Sequence, residues 1–413
     1  MDKRVSQQFL RRWMDTESVE KQGDETGFET MRLREGRAEI IVPKLDYYRV
    51  SPNEYVPSKA PVFYNPLMKE NRDFTVMVAN VIKKESGRSL CFGDSMAGVG
   101  VRSIRVLTEA GWDEAYVNDN SQRAFSIIVM NIKLNRLEDR MHASKMDANI
   151  FHVTHSLRGS RFDMLDIDPF GTPIRFLDTC FQAVKHGGVL SVTATDTANL
   201  FGVHKRAARM LYGVNVFKTG FMREIGVRVL LKALADAAAR NERGIEPIVS
   251  ITRRHYVKVF VRVLKGRKHA FKSVSQIRFL KVRRFEKIYV PLGVVEVEEG
   301  CEKDSLLLGP LYSGQTYSRE WLEEMLLQKA EKTFVDRDVF RTLETLVSDD
   351  QKIVGGIDLT GLASSLHVNP PGRNLIIERL VKEGFAACRS GFDNNCIRTN
   401  ASLDELTRII RSL

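Results

Sequence analysis

The sequence predicts an α/β fold, a doubly wound and mostly parallel sheet, followed by a smaller α+β region. Three observations lead there. Between about 37 and 265, short apolar runs alternate with stretches whose apolar residues recur at helical spacing. Successive runs end on small or acidic residues: Gly93-Asp94, Asn118-Asp119 and Asp147. Such residues are expected at the carboxyl ends of strands, where open α/β sheets hold their ligands. Beyond about 275 the alternation stops and helical segments take over.

Taken in order, 37–43 (RAEIIVP) reads as a strand, and Pro52, Pro57, Pro61 and Pro66 then impose an extended, turn-rich passage. Phe74, Met77, Val78, Val81 and Ile82 predict a helix over 72–86. The alternation continues as strand 89–92, helix 100–110, strand 114–117, helix 121–135 and a third strand ending near Met146. A fourth strand covers 162–167, a helix 173–185 and a fifth strand 188–193. An Ala- and Leu-rich helix over 223–240 leads to a terminal strand pair, 245–251 and 256–264. Strand-like runs at 277–282 and 287–297 precede a Gly-Pro turn at 309–310. The last 80 residues suggest a winged helix, with helices over 336–348, 358–366 and 371–383 and a hairpin over 385–399. The resulting division is an N-terminal tail, 1–34, an α/β domain, 35–275, and a C-terminal α+β domain, 276–413. A wing that touches nucleic acid and a cap that only packs both fit the last module.

Composition narrows the function. The chain has 413 residues, 43% of them hydrophobic and 28% charged, enough to bury a substantial core. No apolar run approaches the roughly 18 residues that span a bilayer. The charged start (MDKRVSQQFLRRWMDTESVEKQGDE) lacks the apolar centre of a secretory signal, so a cytoplasmic protein is expected. Cysteines at 91, 180, 301, 388 and 396 form no C-x-x-C pair, which argues for free thiols and against a four-cysteine zinc site. Net charge is +11 and the pI near 9.4, as suits a polyanionic partner. From Arg253 to Lys287 there are 13 Lys or Arg against the single acid Glu286, a surplus of 12. Tyr256, Phe260, Phe271, Phe279 and Phe285 are interleaved among them. Such a stretch could grip phosphates and stack bases, or its rings could face a core.

The run LCFGDSMAGVGVRSIR (90–105) puts a glycine-containing loop between a strand and a helix. Gly98 and Gly100 let the backbone approach a ligand, and the helix beyond presents unpaired N–H groups. A dinucleotide fingerprint would need a third glycine where Ser103 stands. Asp94 is out of place beside a pyrophosphate but suits a cofactor with an amino-acid head, whose ammonium needs an acceptor. Asp119 could take both ribose hydroxyls, and Asp147 an adenine amine.

The fourth strand ends in DIDPFGTP (166–173), and Asp168-Pro169-Phe170 resembles the D/N-P-P-Y/F element of methyltransferases that act on exocyclic amines. An arylamine lone pair is delocalised into its ring, so the nitrogen is a poor nucleophile. A carboxylate and a backbone carbonyl that accept its N–H groups pull it towards pyramidal geometry, and the carboxylate can take the proton. Phe170 offers a ring face to a base that has left its stack.

VFYNPLMKENRD (62–73), GVGVRSIR (98–105), DIDPFGTP (166–173), REIGVRVL (223–230) and GPLYSG (309–314) occur in this order. Together they resemble the tRNA guanine-26 N2-dimethyltransferase family of archaea and eukaryotes, from about Glu35 to the C-terminus. The resemblance implies a Rossmann-like class I methyltransferase domain that uses S-adenosylmethionine, with 276–413 binding tRNA. Asp168 would be the catalytic carboxylate, and Phe63, Pro169 and Phe170 would hold the guanine. Arg72, Asp94, Gly98, Arg102, Asp119, Asp147 and Ala148 would line the cofactor site. Some members bind zinc through four cysteines in the second domain, whereas only Cys301 lies near that region here, so no metal is expected. An amino methyltransferase for rRNA or DNA and a non-enzymatic winged-helix binder of nucleic acid are the competing functions. A dehydrogenase is disfavoured by Ser103 and by the absence of a His near the strand ends; His142, His152, His155 and His204 read as core or surface residues.

Overall fold

The computed structural model describes residues 27–51, 54–157, 159–253, 255–283, 286–292 and 305–413. Expectations for the tail before 27, for Phe285 and for Cys301 lie outside these residues. The chain divides into two compact units: Met1–Asp168 with Gln182–Val184 and Glu331–Asp336, and Pro169–Phe181 with Lys185–Ala330 and Arg337–Leu413.

In the first unit β1 (Thr30–Glu35) and β2 (Ala38–Pro43) form an antiparallel hairpin around Gly36, whose φ of 61° favours glycine. Only β2 was legible as a strand. β1 alternates charged and apolar residues, and it buries Leu33 together with the carboxylate of Glu35. Short strands β3 (Arg49–Ser51) and β4 (Glu54–Tyr55) interrupt the proline-rich passage. Helix α1 (Lys69–Glu85) comes after a turn in which the Asn65 side chain accepts from the Leu67 N–H, and it buries Phe74, Met77, Val78 and Val81 as their spacing predicts. Strands β5 (Cys91–Asp94), β6 (Glu114–Asn118), β7 (Met141–Ser144) and β8 (Phe162–Ile167) are parallel, in the order β8-β5-β6-β7. Helices α2 (Val101–Glu109), α3 (Gln122–Leu134) and α4 (Ala148–Thr154) succeed β5, β6 and β7. The chain leaves β5 for β6 on one side and places β8 on the other, so β5 marks the switch point where such sheets open a crevice.

The second unit holds most of the remaining elements. It begins with α5 (Leu177–Ala183), β9 (Val184–Ala194), α6 (Thr197–Leu200), α7 (Lys205–Tyr212), α8 (Met222–Arg240), β10 (Arg243–Thr252) and β11 (Val257–Lys265). β9, β11 and β10 are antiparallel neighbours in that order. Helix α9 (Arg267–Val274) leads to a three-stranded sheet in the order β13 (Glu286–Pro291), β12 (Ile277–Arg283), β14 (Ser305–Tyr312). The Gly309-Pro310 turn is a correction: this cis peptide lies inside β14, which continues to Tyr312. After α10 (Arg319–Leu327) and α11 (Arg337–Ser348) come β15 (Ile357–Asp358), α12 (Leu359–Ser365), α13 (Arg373–Lys382), β16 (Ala387–Arg389), β17 (Cys396–Thr399) and α14 (Leu403–Ser412). These close on a common apolar cluster that includes Leu362, Ile376, Leu380, Ile397, Leu406 and Ile409.

The basic stretch 253–287 spends much of its charge inside this unit. Lys258 is fully buried, with Nζ donating to Thr193 Oγ1 at 3.2 Å. Lys287 donates to the Gly355 carbonyl at 3.0 Å, and burial lowers its pKa to about 8. Arg253 bonds Thr342 at 2.7 Å, and Arg262 lies over the Trp321 ring. Arg267 and Lys272 pair with Glu242 and Glu246. Tyr256 and Phe260 are core residues, whereas Phe271 is exposed. Among the described residues, no helix is long and apolar enough to cross a membrane.

Candidate active site

The loop after β5 is built on two left-handed glycines, Gly98 (φ 57°) and Gly100 (φ 77°). A Cβ at position 98 would stand 2.7 Å from the backbone carbonyl of Phe63, so the segment preceding α1 can pass this loop only because the side chain is missing. The Gly98 N–H donates to Asp119 Oδ2 at 2.9 Å, and Asp119 Oδ1 accepts from the Ser121 N–H at 2.9 Å. Asn118 ties the strand ends together, its Nδ2 donating to the carbonyls of Ser95 and Met146 at 3.1 and 2.9 Å. Asp147 caps α4 by accepting from the Asn149 N–H at 2.8 Å, and Ala148 is buried beside it. A carboxylate has about four acceptor positions, so Asp119 and Asp147 cap and brace while keeping capacity for a ligand's hydroxyls or amine.

Asp94 sits at the end of β5, almost wholly buried, with Oδ2 accepting from Ser103 Oγ at 3.0 Å. Burial pushes its pKa up to about 7, and neighbouring Asp166 adds to the rise while Arg102 opposes it. Arg102 lies on the first turn of α2, and every part of its fork is engaged. Nη1 donates to Asn71 Oδ1 and Thr75 Oγ1 of α1 at 2.8 and 2.9 Å. Nε stands 3.1 Å from Asp166 Oδ2, and Nη2 pairs with Asp168 Oδ2. Arg72 is also fixed: Nε and Nη2 bond Glu35 at 2.6 and 2.5 Å, Nη2 reaches the Asn65 carbonyl, and the guanidinium lies over Tyr64.

The first unit therefore gathers Phe63, Gly98, Asp119, Asp94, Arg102 and Asp168 around the carboxyl ends of β5, β6 and β8. Pro169 and Phe170 open the second unit. There the loop is tied at Gly171, whose N–H donates to Thr195 Oγ1 at 2.7 Å and whose carbonyl accepts from the Thr195 N–H at 2.9 Å. Thr172 Oγ1 donates to the Tyr212 hydroxyl at 3.0 Å, which donates to Asp196 at 2.8 Å. Phe170, between these anchors and Asp168, keeps 68% of its surface exposed.

Residues 36–411 match the family model described as N2,N2-dimethylguanosine tRNA methyltransferase. The chain belongs to that family. A tRNA (guanine(26)-N(2))-dimethyltransferase of Methanosarcina barkeri is 33% identical, the alignment covering 92% of this chain and 98% of that protein. A tRNA (guanine(26)-N(2)/guanine(27)-N(2))-dimethyltransferase of Aquifex aeolicus is 30% identical over 92% and 96% of the two chains. Among solved structures, the complex of Trm1 from Pyrococcus horikoshii with S-adenosyl-L-methionine has the same fold, with a TM-score of 0.79 at 24% identity, covering 92% of this chain and 99% of that one.

In this member of the dimethyltransferase family the sequence pattern missed Asp166, Asn71 and Thr75, which hold Arg102, and Thr195 and Tyr212, which hold the loop after Phe170. Asp166 carried a usable signal: residues two apart at a strand end point to the same side, so an acid at 166 accompanies the one at 168. His152 is buried, which lowers its pKa to about 3, and His142 pairs with Glu114 on the surface.

Proposed function

We propose that the chain methylates the N2 amine of guanine 26 in tRNA, once and then again, with S-adenosylmethionine as donor. One observation carries this: Asp168, at the end of β8, is oriented by Arg102, which springs from the same glycine loop that the cofactor's carboxylate end would meet. The donor set fits such a cofactor. The Gly98 N–H braces Asp119 in a loop packed close against Phe63, Asp94 offers a buried acceptor for an ammonium, Asp119 would serve a ribose, and Asp147 with Ala148 an adenine. Arg72 and Arg102 are proposed at its carboxylate end, where each would share a guanidinium that Glu35, or Asp166 and Asp168, already holds.

The cofactor supplies an electrophilic methyl carried on a sulfonium. Asp168 Oδ2 is taken by Arg102, which leaves Oδ1 to accept an amine N–H and draw the nitrogen lone pair out of conjugation. Asp168 would also take the proton that the amine gives up on methylation. The Pro169 carbonyl accepts the second N–H, and Phe63 and Phe170 offer ring faces to the flipped guanine. The proposed division is a tail (1–34), whose Thr30–Arg34 already belong to β1, a methyltransferase domain (35–275) and a tRNA-binding domain (276–413), with the winged-helix-like end contributing to tRNA contact. Acting on tRNA places the enzyme in the cytoplasm, with tRNA as its macromolecular partner and no obligatory protein partner.

Nucleoside analysis of unmodified tRNA incubated with enzyme and S-adenosylmethionine tests this. N2-methyl- and N2,N2-dimethylguanosine should form and should vanish when guanine 26 is replaced by adenine. Methylation of rRNA or DNA instead, or none, would contradict it.

A further inference from the structure

We infer that helix α7 (Lys205–Tyr212) is a tRNA phosphate-binding surface, and that it couples this grip to the loop carrying Phe170. The inference rests on the tRNA-methylating function proposed above and says where the second unit takes hold.

From Thr197 to Arg223 the sequence contains no acid, and it carries Lys205, Arg206, Arg209, Lys218 and Arg223. In the structure Lys205, Arg206 and Arg209 are all exposed. Their spacing puts Lys205 beside Arg209 and Arg206 beside both Arg209 and Met210 on one strip of the helix. Among the described residues no carboxylate pairs with any of the three cations. Surface helices elsewhere in this unit behave differently: Arg319 pairs with Glu323 and Arg379 with Glu383, each one turn on. Leaving a row of cations unbalanced is unfavourable in the free protein and becomes favourable once phosphates neutralise them. Met210 stands in the same strip, 78% exposed, and Val203, 55% exposed, precedes the helix. Lys205 lies over the Phe217 ring, and large apolar side chains among cations that no carboxylate balances suit a nucleic acid, which offers ribose and base faces between its phosphates. The basic stretch 253–287 is the weaker candidate, because so many of its cations are already paired or buried.

The inner face of α7 supplies the coupling. Ala208 and Tyr212 are buried, and the Tyr212 hydroxyl joins Thr172 to Asp196. A backbone held on the outer face is therefore referred, through one rigid helix, to the loop that presents Phe170.

The test is the triple variant Lys205→Glu/Arg206→Glu/Arg209→Glu in the full chain, titrated with unmodified tRNA transcript at several salt concentrations. Its thermal midpoint and S-adenosylmethionine affinity should match wild type. Its tRNA affinity should fall, and the slope of log affinity against log salt should shrink by about 2 to 3. The same reversal at Lys265, Lys268 and Lys272 should shrink the slope less. A triple variant that binds tRNA within about threefold of wild type with the same salt slope would overturn the assignment while leaving methylation intact. Failure of the wild-type protein to bind or methylate tRNA would instead remove the function on which it rests. Retention of tRNA with loss of binding to an acidic polypeptide would give the surface to a protein partner and refute the inference.

Discussion

Arg102 Nη2 is bonded to Asp168 Oδ2, and the same guanidinium meets Asp166 through Nε at 3.1 Å. One side chain thus links the helix after the glycine loop to the strand end that bears the carboxylate proposed to act on the amine. Asn71 and Thr75 hold the far side of the fork, so the cation cannot swing away without breaking bonds to α1. Arg102→Lys keeps the charge and loses the fork. Because a misplacement of about 1 Å costs on the order of 10²-fold, kcat should fall towards that extent. Single-turnover methyl transfer at temperatures where a melting curve shows the variant folded should show the loss, with a lowered midpoint because the buried fork also holds Asn71, Thr75 and Asp166.

Cofactor binding should depend on pH through Asp94. Its folded pKa is raised to about 7, by burial first and by Asp166 next, so the carboxylate proposed to accept the cofactor's ammonium is mostly protonated in weak acid. Affinity for S-adenosylmethionine should therefore rise by about tenfold per pH unit up to about pH 7 and then level off. Asp94→Asn should give weak binding with a flat profile, as read by calorimetry from about pH 5.5 to about pH 8.5.

Stability should show an acid limb from the buried cluster around Glu35. Burial opposes ionisation there, but Arg72 and then Arg105 outweigh it and hold the pKa near 2, below the ordinary 4.5. With the folded pKa depressed, the contribution is complete above 4.5 and is lost as pH falls towards 2. Urea unfolding across that window should lose stability steadily, and Glu35→Gln should blunt the loss. Arg105→Met, which leaves Glu35, Asp73 and Glu109 without their shared partner, should cost about 3–5 kcal/mol at neutral pH.

Phe170→Ala should separate function from folding. The ring is 68% exposed, so the unfolding midpoint should barely move. Loss of one stacking face, worth about 1–3 kcal/mol, should lower kcat/KM for tRNA by roughly 10- to 100-fold while S-adenosylmethionine affinity stays level.

The parallel core and the three strand-end acids were legible because each repeats a pattern, an apolar run closed by a polar residue at the ligand edge. β1 was not, since it is short and one of its buried positions holds a charged residue, Glu35, instead of an apolar one. The basic stretch divides for a related reason: Lys258 and Arg262 sit in VKVFVRV, and composition cannot show that Lys258 points inward to Thr193 while other cations of the stretch stay exposed. The braces Asn71, Thr75 and Tyr212 act across long sequence separations, which no local spacing reveals. Asp166 was within reach, two residues before Asp168, but its buried pairing with Arg102 emerges only when α2 packs beside β8.

Single-turnover transfer of labelled methyl from S-adenosylmethionine to tRNA by Asp168→Ala tests the central claim most directly. The rate should drop by on the order of 10²-fold or more while both substrates still bind. A variant that transfers methyl within about threefold of wild type would show that the carboxylate at 168 neither shapes the amine nor takes its proton.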